Sequence, residues 1–276
     1  MEKYLIYSNP GKDEGFCTTE YVERYLRKKG AETIRVISGT EGDFPEGIKC
    51  VIVIGGDGTV LLAAGFAKDS GVPIIGINLG ALGYLTEVEE NNIDASLDAL
   101  LSDSFVCEER MMLKGRVKKS GKEVCESFAL NDIVIVRNGS LMVNRYALYV
   151  NDNFLNTYSG DGIIVTTPTG STGYNLSAGG PLVEPSAQLM IVTPICPHTL
   201  NQRSIILSPE DRIEIKIPYG KDNKVQSLEV NFDGGRKVSL STGDSVIIEK
   251  GDNNTRFAKV KKTSFLEVLQ HKLSEK

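Results

Sequence analysis

The rhythm of apolar and polar positions changes once, near Phe105. Before it, short apolar runs alternate with helical patterns. Lys3–Ser8, Ile34–Ile37, Cys50–Ile54 and Pro73–Ile77 read as strands, the middle two as buried ones. Thr19 can cap a helix whose buried stripe is Tyr21, Val22, Tyr25 and Leu26. Arg27, Lys28 and Lys29 fall in its last turn, where cations suit the dipole, and Gly30 ends it. Further helices are expected from about Thr59 to Lys68 and over Ile93–Leu101. Strands alternating with helices predict βα units on a parallel sheet.

After Phe105 the pattern is strand upon strand with turn signals between. Lys-Lys-Ser-Gly-Lys from Lys118 marks a hairpin tip, and Asn151-Asp152-Asn153 marks another. Arg212–Ile217, Val225–Phe232, Lys237–Leu240 and Ser245–Glu249 alternate apolar and polar residues, which predicts an all-β, sandwich-like domain. Ser264 to Glu267 spells a capping box, and Val268, Leu269 and Leu273 give the following helix one apolar face. The expected organisation is an α/β domain from residues 1–105 plus 263–276, with the C-terminal helix packed back on it, and a β domain from residues 106–262.

Charge narrows the classes of partner. Lys plus Arg is 31 and Asp plus Glu is 36, a net −5, with no basic cluster to offset it. Nucleic acid and anionic membrane are therefore not expected as partners. No run approaches the ~18 apolar residues needed to cross a bilayer, and the start lacks a secretory core, so a cytoplasmic protein is expected. The five cysteines are scattered and never in a Cys-x-x-Cys pair, which suits a reducing compartment. With only two histidines, His198 and His271, a multi-histidine metal centre is disfavoured.

Candidate chemistry follows the glycines. Of 28, eight fall in Gly55–Gly83 and six in Gly160–Gly180, which suggests one ligand gripped from two segments. In the first cluster an apolar strand runs into Gly55-Gly56-Asp57-Gly58-Thr59 and then a helix, the arrangement of an anion site at a helix N-terminus. Gly55 and Gly56 let phosphate oxygens approach the main chain, and Thr59 can cap the helix or bond a phosphate. A carboxylate beside phosphates is repulsive unless it serves a purpose. Asp57 could hold Mg²⁺ or accept the proton of an attacking hydroxyl. The loop is neither a Walker A motif nor a Gly-x-Gly-x-x-Gly fingerprint. In the second cluster Thr172, Tyr174, Asn175 and Ser177 supply the ring, donors and acceptors that a nucleoside needs.

Gly55 to Thr59 resembles the signature shared by NAD kinases and the diacylglycerol and sphingosine lipid kinases. The segments Gly76–Thr86, Leu130-Asn131-Asp132 and Gly160-Asp161-Gly162, then Thr167–Pro181, resemble NAD kinases in particular and follow in the family's order. That resemblance implies an α/β domain followed by a β-sandwich, and transfer of the γ-phosphoryl group of ATP to the 2′-hydroxyl of NAD's adenosine ribose. It also implies a divalent cation such as Mg²⁺ and a homodimer or homotetramer. By resemblance, Asp57 is the proton acceptor and Gly58 lines the same site. Asn131 and Asp132 bind NAD, with Asp132 standing where the family usually has Glu. Asp161 and Thr172-Gly173-Tyr174-Asn175-Leu176-Ser177 hold the adenosine, and Asp233 is a further substrate contact. The alternatives are a lipid kinase sharing the first motif and a non-catalytic NAD(P)-binding sensor.

Overall fold

The computed structural model describes residues 1–40, 42–80, 83–139, 143–198, 203–261 and 264–274. In chain order the first elements are β1 (Lys3–Ser8), α1 (Cys17–Lys28), β2 (Glu32–Ile37), β3 (Ile48–Gly55), α2 (Asp57–Ala67), β4 (Ile74–Asn78), β5 (Val88–Glu89), α3 (Ile93–Leu101) and β6 (Val106–Arg110). Next come β7 (Leu113–Lys119), β8 (Lys122–Ala129), β9 (Asp132–Arg137), β10 (Asn144–Val150), β11 (Asn153–Gly160), β12 (Gly162–Thr166) and α4 (Tyr174–Ser177). They are followed by β13 (Met190–Ile195), β14 (Ile205–Leu207), β15 (Ile213–Lys216), β16 (Ser227–Phe232), β17 (Arg236–Ser241) and β18 (Ser245–Lys250). The chain closes with β19 (Thr255–Lys259) and α5 (Phe265–Ser274). Two compact units result: Met1–Arg110 with Asn253–Lys276, and Met111–Asp252.

The first unit is built on a sheet of order β2-β1-β3-β4-β19-β6, with β5 on β4. The pairs from β2 to β19 are parallel, and β6 runs antiparallel to β19. Val51 through Ile54 of β3 are fully buried, as a central strand covered on both faces must be. By contrast β2 lies at the sheet edge and none of its residues is buried, so Ile34–Ile37 is not the buried strand that its apolar content predicts. In α1, Val22 and Leu26 are buried while Tyr21 is exposed, so the real stripe is narrower than expected. Thr19 does not cap α1. Asp13 does, its carboxylate accepting the N–H groups of Thr18 (3.0 Å) and Thr19 (2.9 Å) and the Thr19 hydroxyl (2.6 Å).

The second unit is antiparallel throughout. Its two sheets have the orders β11-β10-β15-β18-β7-β8 and β14-β13-β12-β9-β16-β17. Met111, Leu113, Ile133, Ile135, Tyr146, Ile163, Ile215 and Val246 share one buried apolar cluster fed by both sheets, the core of a β-sandwich. At the tip between β7 and β8, Ser120 and Gly121 both have positive φ (49° and 76°), and so do Asn151 and Asp152 between β10 and β11 (49° and 63°). Two-residue hairpin loops that match strand twist require that geometry.

The expected boundaries at 105/106 and 262/263 need correction. Both β6 and β19 belong to the first unit's sheet, pairing Val106–Arg110 with Thr255–Lys259. Alternation identifies a strand but not the sheet it joins. At the C-terminus the capping box is formed, with Ser264 N–H on Glu267 Oε2 (2.7 Å) and Glu267 N–H on Ser264 Oγ (3.2 Å). None of the described side chains of α5 is buried, and the Leu273 side chain lies outside the described residues. Among the described residues no helix is long and apolar enough to cross a membrane.

Candidate functional site

In the first unit, β3 delivers Gly55, Gly56 is the N-cap of α2, and Asp57 is the first helical residue. The helix thus starts two residues earlier than Thr59. Val60 N–H donates to the Gly56 carbonyl, and the N–H groups of Asp57 and the exposed Gly58 precede the first intrahelical bonds. Thr59 is buried, and its hydroxyl accepts the side-chain N–H of Asn9 at 3.0 Å. Asn9 also donates its main-chain N–H to the Ile54 carbonyl (3.1 Å), locking the exit of β1 to the exit of β3. Sequence reasoning missed Asn9, although Ser-Asn-Pro-Gly at the end of an apolar strand is a turn signal at the edge where such sheets bind ligands.

The half-buried Asp57 is held by the segment after β4. Oδ2 accepts the Tyr84 N–H (2.8 Å). Oδ1 takes those of Leu85 (3.1 Å) and Thr86 (3.2 Å), with the Thr86 hydroxyl at 3.4 Å. An ionised carboxylate has about four lone-pair sites. Oδ1 is therefore saturated, whereas Oδ2 keeps one open acceptor position. Gly83 packs directly on this carboxylate, which explains a glycine there. Ala81 and Leu82, part of the resembling segment, lie outside the described residues.

In the second unit, Asn131 and Asp132 stand at the start of β9. Asp132 is buried, and among the described residues no donor reaches its carboxylate; Asn131 Oδ1 is likewise buried without a partner. Burial, then the nearby Asp233 charge, pushes the Asp132 carboxyl up to about 7. A buried acceptor such as Asn131 Oδ1 is costly unless something supplies it a donor. The glycine-rich block between β12 and β13 lies alongside: a Cβ on Gly173 would stand 3.4 Å from Asn131 Nδ2 and 3.8 Å from Asp132 Oδ2. Thr172 bonds the Thr169 carbonyl (3.3 Å), closing a 3₁₀ turn that leads into α4. Tyr174, Leu176 and Ser177 of α4 are exposed. Partial burial, and after it the charges of Cys196, Asp161 and Asp132, raise the Tyr174 phenol above its ordinary value.

Two predicted contacts prove to be internal. Asn175 is fully buried: its amide donates to the Ser171 (3.2 Å) and Pro181 (3.0 Å) carbonyls and accepts the Thr193 hydroxyl (2.7 Å). It therefore holds the block together and has no group left for a ligand. Asp233 is also spent on the main chain, accepting the N–H groups of Leu130 (2.7 Å), Asn131 (2.9 Å) and Asp132 (3.0 Å). Burial pushes its carboxyl up to about 6 against the pull of those donors. Asp161 is half-buried and faces Arg137, Nε to Oδ1 3.5 Å, while its carbonyl accepts the Tyr146 hydroxyl (3.0 Å). Arg137, the last residue of β9, carries no sequence signal for this pairing.

Comparison with known proteins matches these two halves separately. Residues 6–105 match the ATP-NAD kinase N-terminal domain and residues 130–260 the ATP-NAD kinase C-terminal domain. An α/β unit with a lysine-free glycine loop, joined to a β-sandwich, thus defines a phosphotransferase of the ATP-NAD kinase class. NAD kinases of Lachnospira eligens and Agathobacter rectalis are each 40% identical over 99% of this chain, covering 100% and 99% of those proteins. An Archaeoglobus fulgidus NAD kinase solved in complex with ATP superposes with a TM-score of 0.80 at 27% identity, over 99% of this chain and 98% of that one. Yeast NADH kinase complexed with NADH has the same fold, with a TM-score of 0.88 at 21% identity over all of this chain and 88% of that one. The chain belongs to the NAD kinase family.

Proposed function

We propose that this chain transfers the γ-phosphoryl group of ATP to the 2′-hydroxyl of the adenosine ribose of NAD, giving NADP. The observation that carries the reading is the buried, unpartnered Oδ1 of Asn131 beside the buried carboxyl of Asp132, acceptors suited to the donors of a ribose and its attached base. Thr172, Gly173, Tyr174, Leu176 and Ser177 hold the adenosine, with the Tyr174 ring against the base. Phosphate oxygens approach over Gly55 and Gly56 to the N–H groups of Asp57 and Gly58 at the start of α2, while Thr59, whose N–H donates to the Gly56 carbonyl (2.8 Å), backs the turn from inside.

Asp57 orients the 2′-hydroxyl and accepts its proton at Oδ2, the oxygen with an open lone pair. Three main-chain donors fix the carboxylate, so its position costs no reorganisation during reaction. In phosphoryl transfer most acceleration comes from positioning and charge neutralisation. A ribose hydroxyl is a far weaker acid than a carboxylic acid, so proton transfer to the carboxylate comes late.

Among the described residues no cluster of His, Cys, Asp and Glu is placed to hold a metal ion. Magnesium enters this reading as MgATP, a substrate. The cytoplasm suits the five free thiols, and self-association into a homodimer or homotetramer is expected of the family. Incubation with ATP, Mg²⁺ and NAD, read by an NADP-specific dehydrogenase, tests the activity. Absence of NADP, or phosphorylation of a lipid in its place, overturns it. Light scattering in solution tests the oligomer.

A further inference from the structure

Two segments converge on the main chain of Leu130, Asn131 and Asp132, and a third is tied to the same point. From the turn between β16 and β17, Asp233 accepts all three N–H groups and returns its own N–H to the Asp132 carbonyl (3.1 Å). From the end of β12, the Thr166 hydroxyl donates to the Asn131 carbonyl (2.8 Å). Thr167 adds its N–H to the same carbonyl (2.9 Å) and its hydroxyl to the Leu130 carbonyl (2.6 Å). The Thr167 hydroxyl also accepts the Gly170 N–H (3.1 Å), tying the glycine-rich block to the same point.

We infer that Asp233, with Thr166 and Thr167 on the opposite side, is a positioning residue that sets the Asn131 amide and the Asp132 carboxylate for the dinucleotide and does not itself touch it. The inference rests on the proposed function for the identity of the ligand. Asp233 has φ +48°, a left-handed conformation that aspartate tolerates better than most residues, and it points its carboxylate away from its own hairpin onto the neighbouring strand start. Three converging donors call for a group that only accepts. An amide in its place turns an N–H₂ toward one of them and leaves a buried donor unpaired. The start of β9 must then shift, and small displacements of a binding pair cost much affinity.

The test uses the full chain with Asp233→Asn and Thr166→Val, each read for cooperative unfolding, for kcat, and for KM toward NAD and ATP separately. Amide hydrogen exchange at residues 130–132 is followed as well. The expected result is a rise in KM for NAD of roughly tenfold or more, with KM for ATP within about twofold. Faster exchange confined to residues 130–132 accompanies it. An unchanged KM for NAD in a folded variant, or an equal rise for both substrates, overturns the inference. If Asp233→Asn does not unfold cooperatively, Thr166→Val decides by the same two criteria. Wild-type protein that forms no NADP would refute the proposed function instead. Direct titration of NAD binding to wild type and variants then decides this point by the same tenfold criterion.

Discussion

A Cβ atom on Gly83 would stand 2.0 Å from Oδ1 of Asp57 and 2.5 Å from Oγ1 of Thr86. Such overlap with a fixed carboxylate cannot be relieved by a side-chain swing, because Asp57 is pinned by the residues that follow Gly83. Gly83→Ala should displace the acid, lower kcat by at least roughly tenfold, and cost about 1–3 kcal/mol of stability as overpacking does. Steady-state kinetics with a thermal melt checks both.

Asp57→Asn keeps the shape but loses basicity, and it sets an N–H₂ among main-chain donors. Turnover should fall roughly 10²- to 10⁴-fold, the usual contribution of a positioned base. NAD binding by calorimetry should persist. Near-normal turnover would remove Asp57 from the chemistry.

Tyr174 is 45% exposed, as a surface prepared for a flat partner would be. Tyr174→Phe should leave KM for NAD nearly unchanged. Tyr174→Ala should raise it by roughly one to two orders of magnitude, since stacking a base on a ring is worth about 1–3 kcal/mol. Equal effects of the two variants would place the hydroxyl, not the ring, in contact with substrate.

Asn175→Ala tests the opposite assignment. Removing a fully buried amide with three hydrogen bonds takes the side-chain donor from the Ser171 and Pro181 carbonyls and leaves the Thr193 hydroxyl only Ser204, at a cost of about 1–3 kcal/mol for each unsatisfied group. The expected outcome is a large drop in melting temperature. At a temperature where the variant is folded, NAD affinity should change far less than in Tyr174→Ala.

Stability should depend on pH through Asp132. Its carboxyl is raised from 3.8 to about 7, so between those values the folded protein keeps a proton that the unfolded chain releases. That contribution is complete below about 4 and lost as pH rises to about 7. The Asp233 carboxyl is raised in the same direction. Asp132→Asn should therefore melt higher than wild type at pH 8 in ligand-free protein, by roughly 2–4 °C for each kcal/mol relieved, and the gap should close near pH 4. A gap independent of pH would contradict this.

Local chemistry was the legible part of the sequence. The capping box at Ser264, the Ser120-Gly121 tip and the strand running into Gly55 each depend on neighbours a few residues apart, and each formed as expected. What escaped depends on distant partners. Asn9 acquires meaning only from Thr59, fifty residues on, and Asp233 only from Leu130, 103 residues back. Asn175 looked like a ligand contact because a polar side chain in a glycine-rich block has two possible uses. Only the burial of its amide against Ser171, Pro181 and Thr193 separates them. The edge position of β2 was equally hidden, since Ile34 and Val36 are as apolar as residues of a central strand.

Because Arg110 and Thr255 are paired neighbours on β6 and β19, everything from Met111 to Asp252 is looped out between two adjacent strands. A ribosome making this chain therefore completes the inserted sandwich before it releases the last strands of the sheet begun at Lys3. Nascent β1 to β4 must wait, with β5 covering only the Ile77–Asn78 end of the β4 flank, until Phe257 arrives to pair with Ile74. Translation order and assembly order are thus reversed for the unit that bears Asp57, and the glycine loop after β3 gains its finished support only when synthesis is nearly over.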